Sequence, residues 1–220
     1  MIYKLSIILL AAWFILIILG AFLWTSPAAG LGEYTRILYF HVPVAWVTVL
    51  AFLISAVSSV VFLKKQQLKY DIFTEASSQI GFIFCILAAV TGSVWAKLSW
   101  GSFWNWDPRE TSIFILLLIY AAYFALRSAI EQPERKAILS SVYSIFAFIT
   151  VPFLVFIIPR VYSSLHPDPI INVRTKIDMD SKMLFTFLAS LAGHTLLFLY
   201  IFKAKIAIEN LKNEVHYIKD

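Results

Sequence analysis

Apolar residues fall into six blocks along the chain, separated by short polar segments. The blocks occupy residues 5–24, 42–63, 76–96, 108–126, 137–159 and 183–202. An α-helix of about 20 residues is long enough to cross ~30 Å of hydrocarbon at ~1.5 Å per residue. The pattern therefore predicts an all-α integral membrane protein with six transmembrane helices, the first of which is retained as a helix rather than cleaved as a signal peptide.

Local signals mark two of these predicted helices. Asp107 is a suitable N-cap for the fourth, with Pro108 at the first helical position and Glu110 placed as in a capping box. Pro152 predicts a kink in the fifth, because proline removes a helical hydrogen bond. Arg127 is assigned to the polar loop that follows the fourth helix.

Residues 203–220 form a charged tail with a recurring apolar pattern. Ile208, Leu211, Val215 and Ile218 are spaced by three and four residues, which is the spacing of one helical face. An amphipathic helix on the membrane surface and a polar helix projecting into solvent both fit this spacing.

Composition and charge narrow the class of protein. Hydrophobic residues make up 60% of the chain and charged residues 14%, which excludes a soluble domain. The net charge of +5 comes from basic residues in loops, where they signal orientation rather than nucleic acid binding. Of the 18 lysines and arginines, eleven lie on the side of the termini and seven on the other side. This bias predicts cytoplasmic termini.

The single cysteine, Cys85, lies inside an apolar block and is expected to be a buried apolar residue.

Four of the seven tryptophans lie between residues 95 and 111, in what we call the tryptophan-rich segment: Trp95, Trp100, Trp104 and Trp106. A belt of interfacial aromatic residues explains one or two tryptophans at a membrane surface. Four of them interleaved with Gly101, Asp107 and Arg109 favour a flat aromatic surface for a large planar ligand such as a porphyrin.

Topology places two histidines beside this segment. With six spans, the first, third and fifth loops share one face, and they carry His41, the tryptophan-rich segment and His166. Imidazole commonly binds haem iron, and two imidazoles on opposite faces of the macrocycle give six-coordinate iron. His194 lies near the middle of the sixth span, where we expect a neutral imidazole bonded to a neighbouring helix.

Two charged residues of the segment have alternative roles. Asp107 can cap the fourth helix, contribute to the ligand site, or do both. Arg109 is suited to a haem propionate because its guanidinium group matches a carboxylate bidentately. Arg36, Lys97 and Arg160 are weaker candidates for the same role.

The motif Trp-Gly-x-x-Trp-x-Trp-Asp-x-Arg-x-Thr, which runs from Trp100 to Thr111, resembles the signature of a known family. It is similar to that of the CcmC (HelC) proteins, which handle haem in cytochrome c biogenesis. The chain departs from many relatives in lacking a tryptophan pair before His166, where only Tyr162 is aromatic.

The resemblance implies a bacterial inner-membrane protein, not an enzyme, with the tryptophan-rich segment in the periplasm between helices three and four. It would bind b-type haem non-covalently and transiently, with His41 and His166 on the iron. The macrocycle would lie against Trp100, Trp104 and Trp106, with Trp95 and Asp107 beside it and the propionates near Arg109.

The acceptor implied is a CcmE-like haem chaperone, and the other implied partners are CcmA-, CcmB- and CcmD-like complex subunits. The chain has no Gly-x-x-x-x-Gly-Lys-Ser/Thr loop, so any ATP hydrolysis would belong to a partner. Two alternatives stay open: a subunit of a cytochrome c haem lyase or synthase, and a permease subunit that conducts haem through its core.

Overall fold

A computed structural model describes residues 2–28, 31–166 and 179–219, which form an almost wholly helical bundle. The α-helices are α1 Ile2–Leu19, α2 Leu38–Lys65, α3 Leu68–Trp100, α4 Pro108–Ala129, α5 Pro133–Pro152, α6 Ile158–Val161 and α7 Ser181–Lys219. A π turn, Gly20–Trp24, follows α1, and a 3-10 turn, Glu33–Ile37, leads into α2. A second π turn, Phe153–Ile157, joins α5 to α6.

Among the residues that the structure describes, six helical stretches are long and apolar enough to cross a membrane, which confirms the predicted number of spans. They are Lys4–Trp24, Glu33–Lys65, Leu68–Trp100, Pro108–Ala129, Pro133–Val161 and Ser181–Lys212. Pro152 ends the α-helical part of the fifth stretch, and the π turn that follows it is the irregularity that proline predicted.

The third helix is longer than the predicted block, which ended at residue 96. It continues to Trp100, and Gly101 ends it with φ of 82° while donating its backbone N–H to Lys97 O at 3.1 Å. Glycine adopts this left-handed conformation without the penalty that a Cβ imposes. Trp95 and Trp100 therefore lie on the last turns of α3 rather than in the loop.

The charged tail continues the last helix. The helix α7 has 39 residues and runs without a break from Ser181 to Lys219. The described part of the tail is thus helical, as its spacing predicted, and its position relative to the membrane stays a prediction.

The bundle is built around the hairpin of α2 and α3. These helices are joined by a turn at Gln66, whose backbone is left-handed, and they pack against each other along their length. The approach is close at Gly81, where an added Cβ would lie 2.7 Å from the Phe52 ring. Helices α5 and α7 pack on α2, α4 lies against α3 and α5, and α1 packs mainly on α7. Cys85 is buried in the core between these helices, as expected.

Hydroxyl groups join three of these helices inside the bundle. The Ser55 hydroxyl of α2 lies 2.6 Å from Ser78 Oγ of α3 and 2.8 Å from Ser144 Oγ of α5. Nearby, Ser59 Oγ of α2 lies 3.1 Å from Thr74 Oγ1 of α3. Interhelical hydrogen bonds of this kind hold membrane helices together where the hydrophobic effect cannot. In sequence these residues had the appearance of scattered serines and threonines.

Arg127 corrects another expectation, since it lies in the last turn of α4 and is buried, not in a loop. Its guanidinium donates to both carboxylate oxygens of Asp71 on α3 at 2.8 and 2.7 Å, and to Glu75 Oε2 at 2.8 Å. The carboxylate partners neutralise a charge that would otherwise be costly in this setting. The cluster therefore joins the end of α4 to the start of α3.

Replacing Arg127 with Met should destabilise the protein by about 3–5 kcal/mol, because it leaves the buried Asp71 carboxylate without its partner. The double variant Asp71→Asn/Arg127→Met should recover part of that loss. Unfolding in mixed detergent micelles measures both. The control is Arg135→Met at an exposed position, and equal stability of all three variants would contradict a structural role for the ion pair.

Candidate functional site

Asp107 lies at the centre of the candidate site and forms the predicted cap of α4. Its carboxylate accepts from the backbone N–H of Arg109 at 2.9 Å, and Glu110 completes the capping box by accepting from the N–H of Asp107. The same Glu110 oxygen accepts from the N–H of Asn105 at 2.8 Å. The side chain of Asp107 is fully buried, so its role is not limited to an exposed helix start.

The same carboxylate binds the segment that follows α6, 57 to 59 residues further along the chain. Ser164 Oγ donates to Asp107 Oδ2 at 2.8 Å, and the backbone N–H of Leu165 donates to that oxygen at 2.7 Å. His166 Nδ1 lies 3.0 Å from Asp107 Oδ1. Asp107 therefore caps a helix, as predicted, and also contacts a candidate ligand.

Hydrogen bonding determines which nitrogen of His166 is available. Burial alone would raise the pKa of Asp107, but hydrogen bonds from Arg109, Leu165 and Ser164 hold that pKa below its usual range. An ionised carboxylate only accepts hydrogen bonds, so Nδ1 of His166 carries the proton. The lone pair of the neutral imidazole is then on Nε2, which is the arrangement of a metal-binding histidine.

The imidazole of His166 is in its neutral form near pH 7. Burial lowers its pKa to about 4, and the positive charge of Arg109 acts in the same direction, while Asp107 opposes the shift. The ring contacts two tryptophans, with centroid distances of 5.4 Å to Trp95 and 4.8 Å to Trp100. Those two tryptophans contact each other edge to face at 4.8 Å.

His41 is held from a different direction, in the first turn of α2. Its Nδ1 lies 2.9 Å from Thr91 Oγ1 on α3. The Thr91 hydroxyl has one hydrogen and donates it to the Leu87 carbonyl at 2.7 Å, so it accepts from His41 and leaves Nε2 with the lone pair. The ring lies against Gly92, where an added Cβ would be 3.0 Å from Cε1.

Arg109 connects the two histidines electrostatically. It is the second residue of α4, and its charge acts on both His41 and His166. His41 also acts on His166. The structure thus brings two histidines from distant parts of the sequence within electrostatic reach of one guanidinium, while their shared membrane face stays a prediction.

The four tryptophans divide into two pairs rather than forming one surface. Trp95 and Trp100 surround His166, whereas Trp104 and Trp106 contact each other at 5.6 Å between centroids. Trp104 also contacts Phe114 on α4. Trp106 is 75% exposed and has φ of 56°, a conformation that is costly for a large side chain.

The weaker propionate candidates have local partners. Arg36 donates to the Ala21 carbonyl and pairs with Glu33, while Lys97 donates to the Gly101 carbonyl at 2.8 Å. Arg160 donates to the Phe156 carbonyl at 2.7 Å. These three side chains thus have local partners, whereas the charge of Arg109 acts on both histidines.

His194 differs from its expected bonding. Its Nδ1 donates to Ser190 O of its own helix at 2.8 Å, not to a neighbouring helix, and its ring meets Phe14 of α1 edge to face. The link to a neighbouring helix is made by Ser190, whose hydroxyl donates to the Tyr39 carbonyl of α2. His194 therefore belongs to the packing of α1 and α7.

Three residues that contact the candidate ligands or Asp107 were not predicted from the sequence: Thr91, Gly92 and Ser164. A threonine inside an apolar helix ordinarily bonds to its own backbone, so nothing in its spacing indicates a histidine 50 residues away. The only local signal was the adjacent pair of a polar residue and glycine in an apolar block.

These residues fit a haem ligand set. Two imidazoles present Nε2, tryptophan rings flank one of them, and a guanidinium suited to a carboxylate lies nearby. The fit is in the donor atoms and their surroundings, and it needs no residue beyond those described.

Comparisons with known proteins agree with this chemistry. The family model described as CcmC, Heme exporter protein C, matches residues 1–219. The "Heme exporter protein C" of Bradyrhizobium diazoefficiens is 30% identical over 86% of this chain and 71% of its own length. A "Putative cytochrome c biosynthesis ccmC-like mitochondrial protein" of Marchantia polymorpha is 36% identical over 61% of this chain and 57% of its own length.

The "Heme exporter protein C" of Escherichia coli K12 is 31% identical over 56% of this chain and 50% of its own length. The chain thus spans only about half the length of some curated relatives in these alignments. The family match nevertheless extends over nearly every residue, so the chain belongs to the CcmC family of heme exporter protein C.

Proposed function

We propose that this protein binds haem at the outer face of the bacterial inner membrane and transfers it to an acceptor in cytochrome c maturation. One observation carries the proposal: His41 and His166 both present Nε2 within range of the same Arg109 charge. Paired imidazoles bind haem iron on opposite faces. Haem is the cargo here, bound non-covalently and transiently as b-type haem, and the role is binding and transfer rather than catalysis.

The protein's own groups divide the work of holding the macrocycle. His41 and His166 supply the axial nitrogens, and Trp95 and Trp100 exclude water from the His166 side. Trp104 and Trp106 form a second aromatic pair, in which the exposed Trp106 meets the edge of the macrocycle or the acceptor. Arg109 pairs with a propionate.

Family membership supports a proposal for the acceptor and the partners. We infer that a CcmE-like haem chaperone receives the haem, and that CcmA-, CcmB- and CcmD-like subunits complete the complex. The bias of basic residues toward the termini supports cytoplasmic termini and a periplasmic site.

The axial ligands are tested by absorption spectroscopy of the purified, haem-loaded protein. The parent should give a low-spin, six-coordinate spectrum. His41→Gly and His166→Gly should each lose it, and added free imidazole should partly restore it by filling the open position. His194→Gly is the matched control and should keep the parental spectrum, since its ring packs against α1. A change in His194→Gly alone would place the iron inside the bilayer and favour a permease.

The aromatic surface is tested at Trp106. Glycine is favoured at positive φ, and the exposed side chain buries little area, so Trp106→Gly should leave thermal stability unchanged or slightly higher. Haem affinity should fall about 5-fold, which corresponds to ~1 kcal/mol of aromatic contact. Trp106→Phe should retain most of the affinity. Equal losses of stability and affinity in Trp106→Gly would indicate a membrane-surface aromatic residue instead.

Orientation is tested by reporter fusions. A reporter that is active only in the periplasm should be inactive after Lys69 and active after Ser102, because Lys69 lies in the first turn of α3 and Ser102 follows its end, and α3 is long enough to span the membrane. Identical signals at the two positions would contradict the six-span topology, and reversed signals would contradict the orientation.

A further inference from the structure

The two candidate iron ligands are supported by different acceptors. His166 Nδ1 bonds to the Asp107 carboxylate, which is fully buried and is held by three further donors from Arg109, Ser164 and Leu165. Four hydrogen-bond donors converge on this carboxylate, so it accepts as an anion that is not exposed to solvent. A charge-assisted hydrogen bond of this type is roughly twice as strong as a neutral one.

The acceptor of His41 is neutral. Thr91 Oγ1 accepts from His41 Nδ1 at 2.9 Å while its own hydrogen points to the Leu87 carbonyl at 2.7 Å. A neutral hydroxyl oxygen is a weaker hydrogen-bond acceptor than a carboxylate, so it polarises the Nδ1–H bond of His41 less. The Thr91 contact therefore orients the ring of His41 without giving it imidazolate character.

The outer partner of a histidine controls its strength as a metal ligand. When Nδ1–H donates to a carboxylate, electron density at Nε2 rises and the bond to the metal strengthens, and loss of such a partner typically lowers metal affinity ~10–100-fold. Asp107 and Thr91 are therefore expected to give the two axial bonds unequal strengths.

We propose that Asp107 makes His166 the ligand that retains haem, and that the neutral Thr91 contact makes His41 the ligand that an incoming base replaces. This inference rests on the proposed function, in which both histidines bind the iron. The exchange is a substitution in which the bond from His41 Nε2 to iron breaks, its electron pair returns to the nitrogen, and a pair from the incoming base forms the new bond. No electron transfer is required, and the proton stays on Nδ1 of His41.

The setting of each histidine fits this order of events. His41 is part of a long helix, stays bonded to Thr91 and lies against Gly92, so the ring keeps its orientation after the exchange. His166 lies in a loop that is fastened to α4 through Asp107. Haem held by His166 thus remains at the tryptophan pair while the opposite position opens toward an acceptor. Asp107 and Thr91 are positioning residues, since each acts through a histidine.

The test uses the full chain in detergent, loaded with ferric haem, with cyanide as the entering ligand. The rate of cyanide binding and the reduction potential of the iron are measured for the parent, Thr91→Val, Thr91→Ser and Asp107→Asn. Valine matches the shape of threonine without an acceptor, and serine restores the hydroxyl. Asparagine retains an oxygen for the α4 cap and removes the charge.

Thr91→Val should bind cyanide ~10-fold faster than the parent, because it weakens the bond that breaks first. Its potential should stay nearly parental, and Thr91→Ser should restore the parental rate. Asp107→Asn should raise the potential, because the carboxylate stabilises the ferric ion, and should change the rate less than Thr91→Val does. If Asp107→Asn does not fold, the two Thr91 variants alone decide which bond breaks first.

Parental rates in Thr91→Val, or a larger acceleration in Asp107→Asn than in Thr91→Val, would overturn the inference while leaving the haem-binding proposal intact. A parent that retains haem through only one histidine would also overturn it. A parent that takes up no haem at all would overturn the proposed function and this inference with it.

Discussion

The buried carboxylate of Asp107 is the interaction on which the site depends. A charge removed from water must be compensated, and here backbone and side-chain donors from two distant segments supply the compensation. Because the start of α4 and the segment that follows α6 share this one group, they are held in a fixed relation. A neutral apolar residue at this position would remove the cap and release His166 together.

Buried charge is also compensated at the other end of α4, by other residues. Arg127 and Asp71 compensate each other where α4 ends, as Asp107 and its donors do where α4 begins. Helix α4 is thus fixed at both ends by buried charge, with the Phe52 and Tyr120 rings stacked near its middle. Side-chain packing and these polar contacts together define the rotation of the helix about its axis.

The sequence predicted the features that leave a local or periodic trace. Six apolar blocks and the cap at Asp107 follow from length and spacing, whereas the shared face of His41 and His166 stays a prediction from parity. The pairing of His41 with Thr91 and of Arg127 with Asp71 could not be predicted, because each joins residues more than 45 positions apart. The division of the tryptophans into two pairs could not be predicted for a related reason. It depends on where α3 ends, and a helix rich in interfacial aromatic residues has no clear apolar boundary.

The length of α7 has a mechanical consequence. A helix of 39 residues extends for about 58 Å, nearly twice the thickness of the hydrocarbon, and it has no break along its course. In the N-terminal part of α7, the Ser190 hydroxyl donates to the Tyr39 carbonyl of α2, two residues before His41. A helix without a break transmits tilt from one end to the other. A tilt of the C-terminal turns of α7 would therefore act on the helix that carries His41.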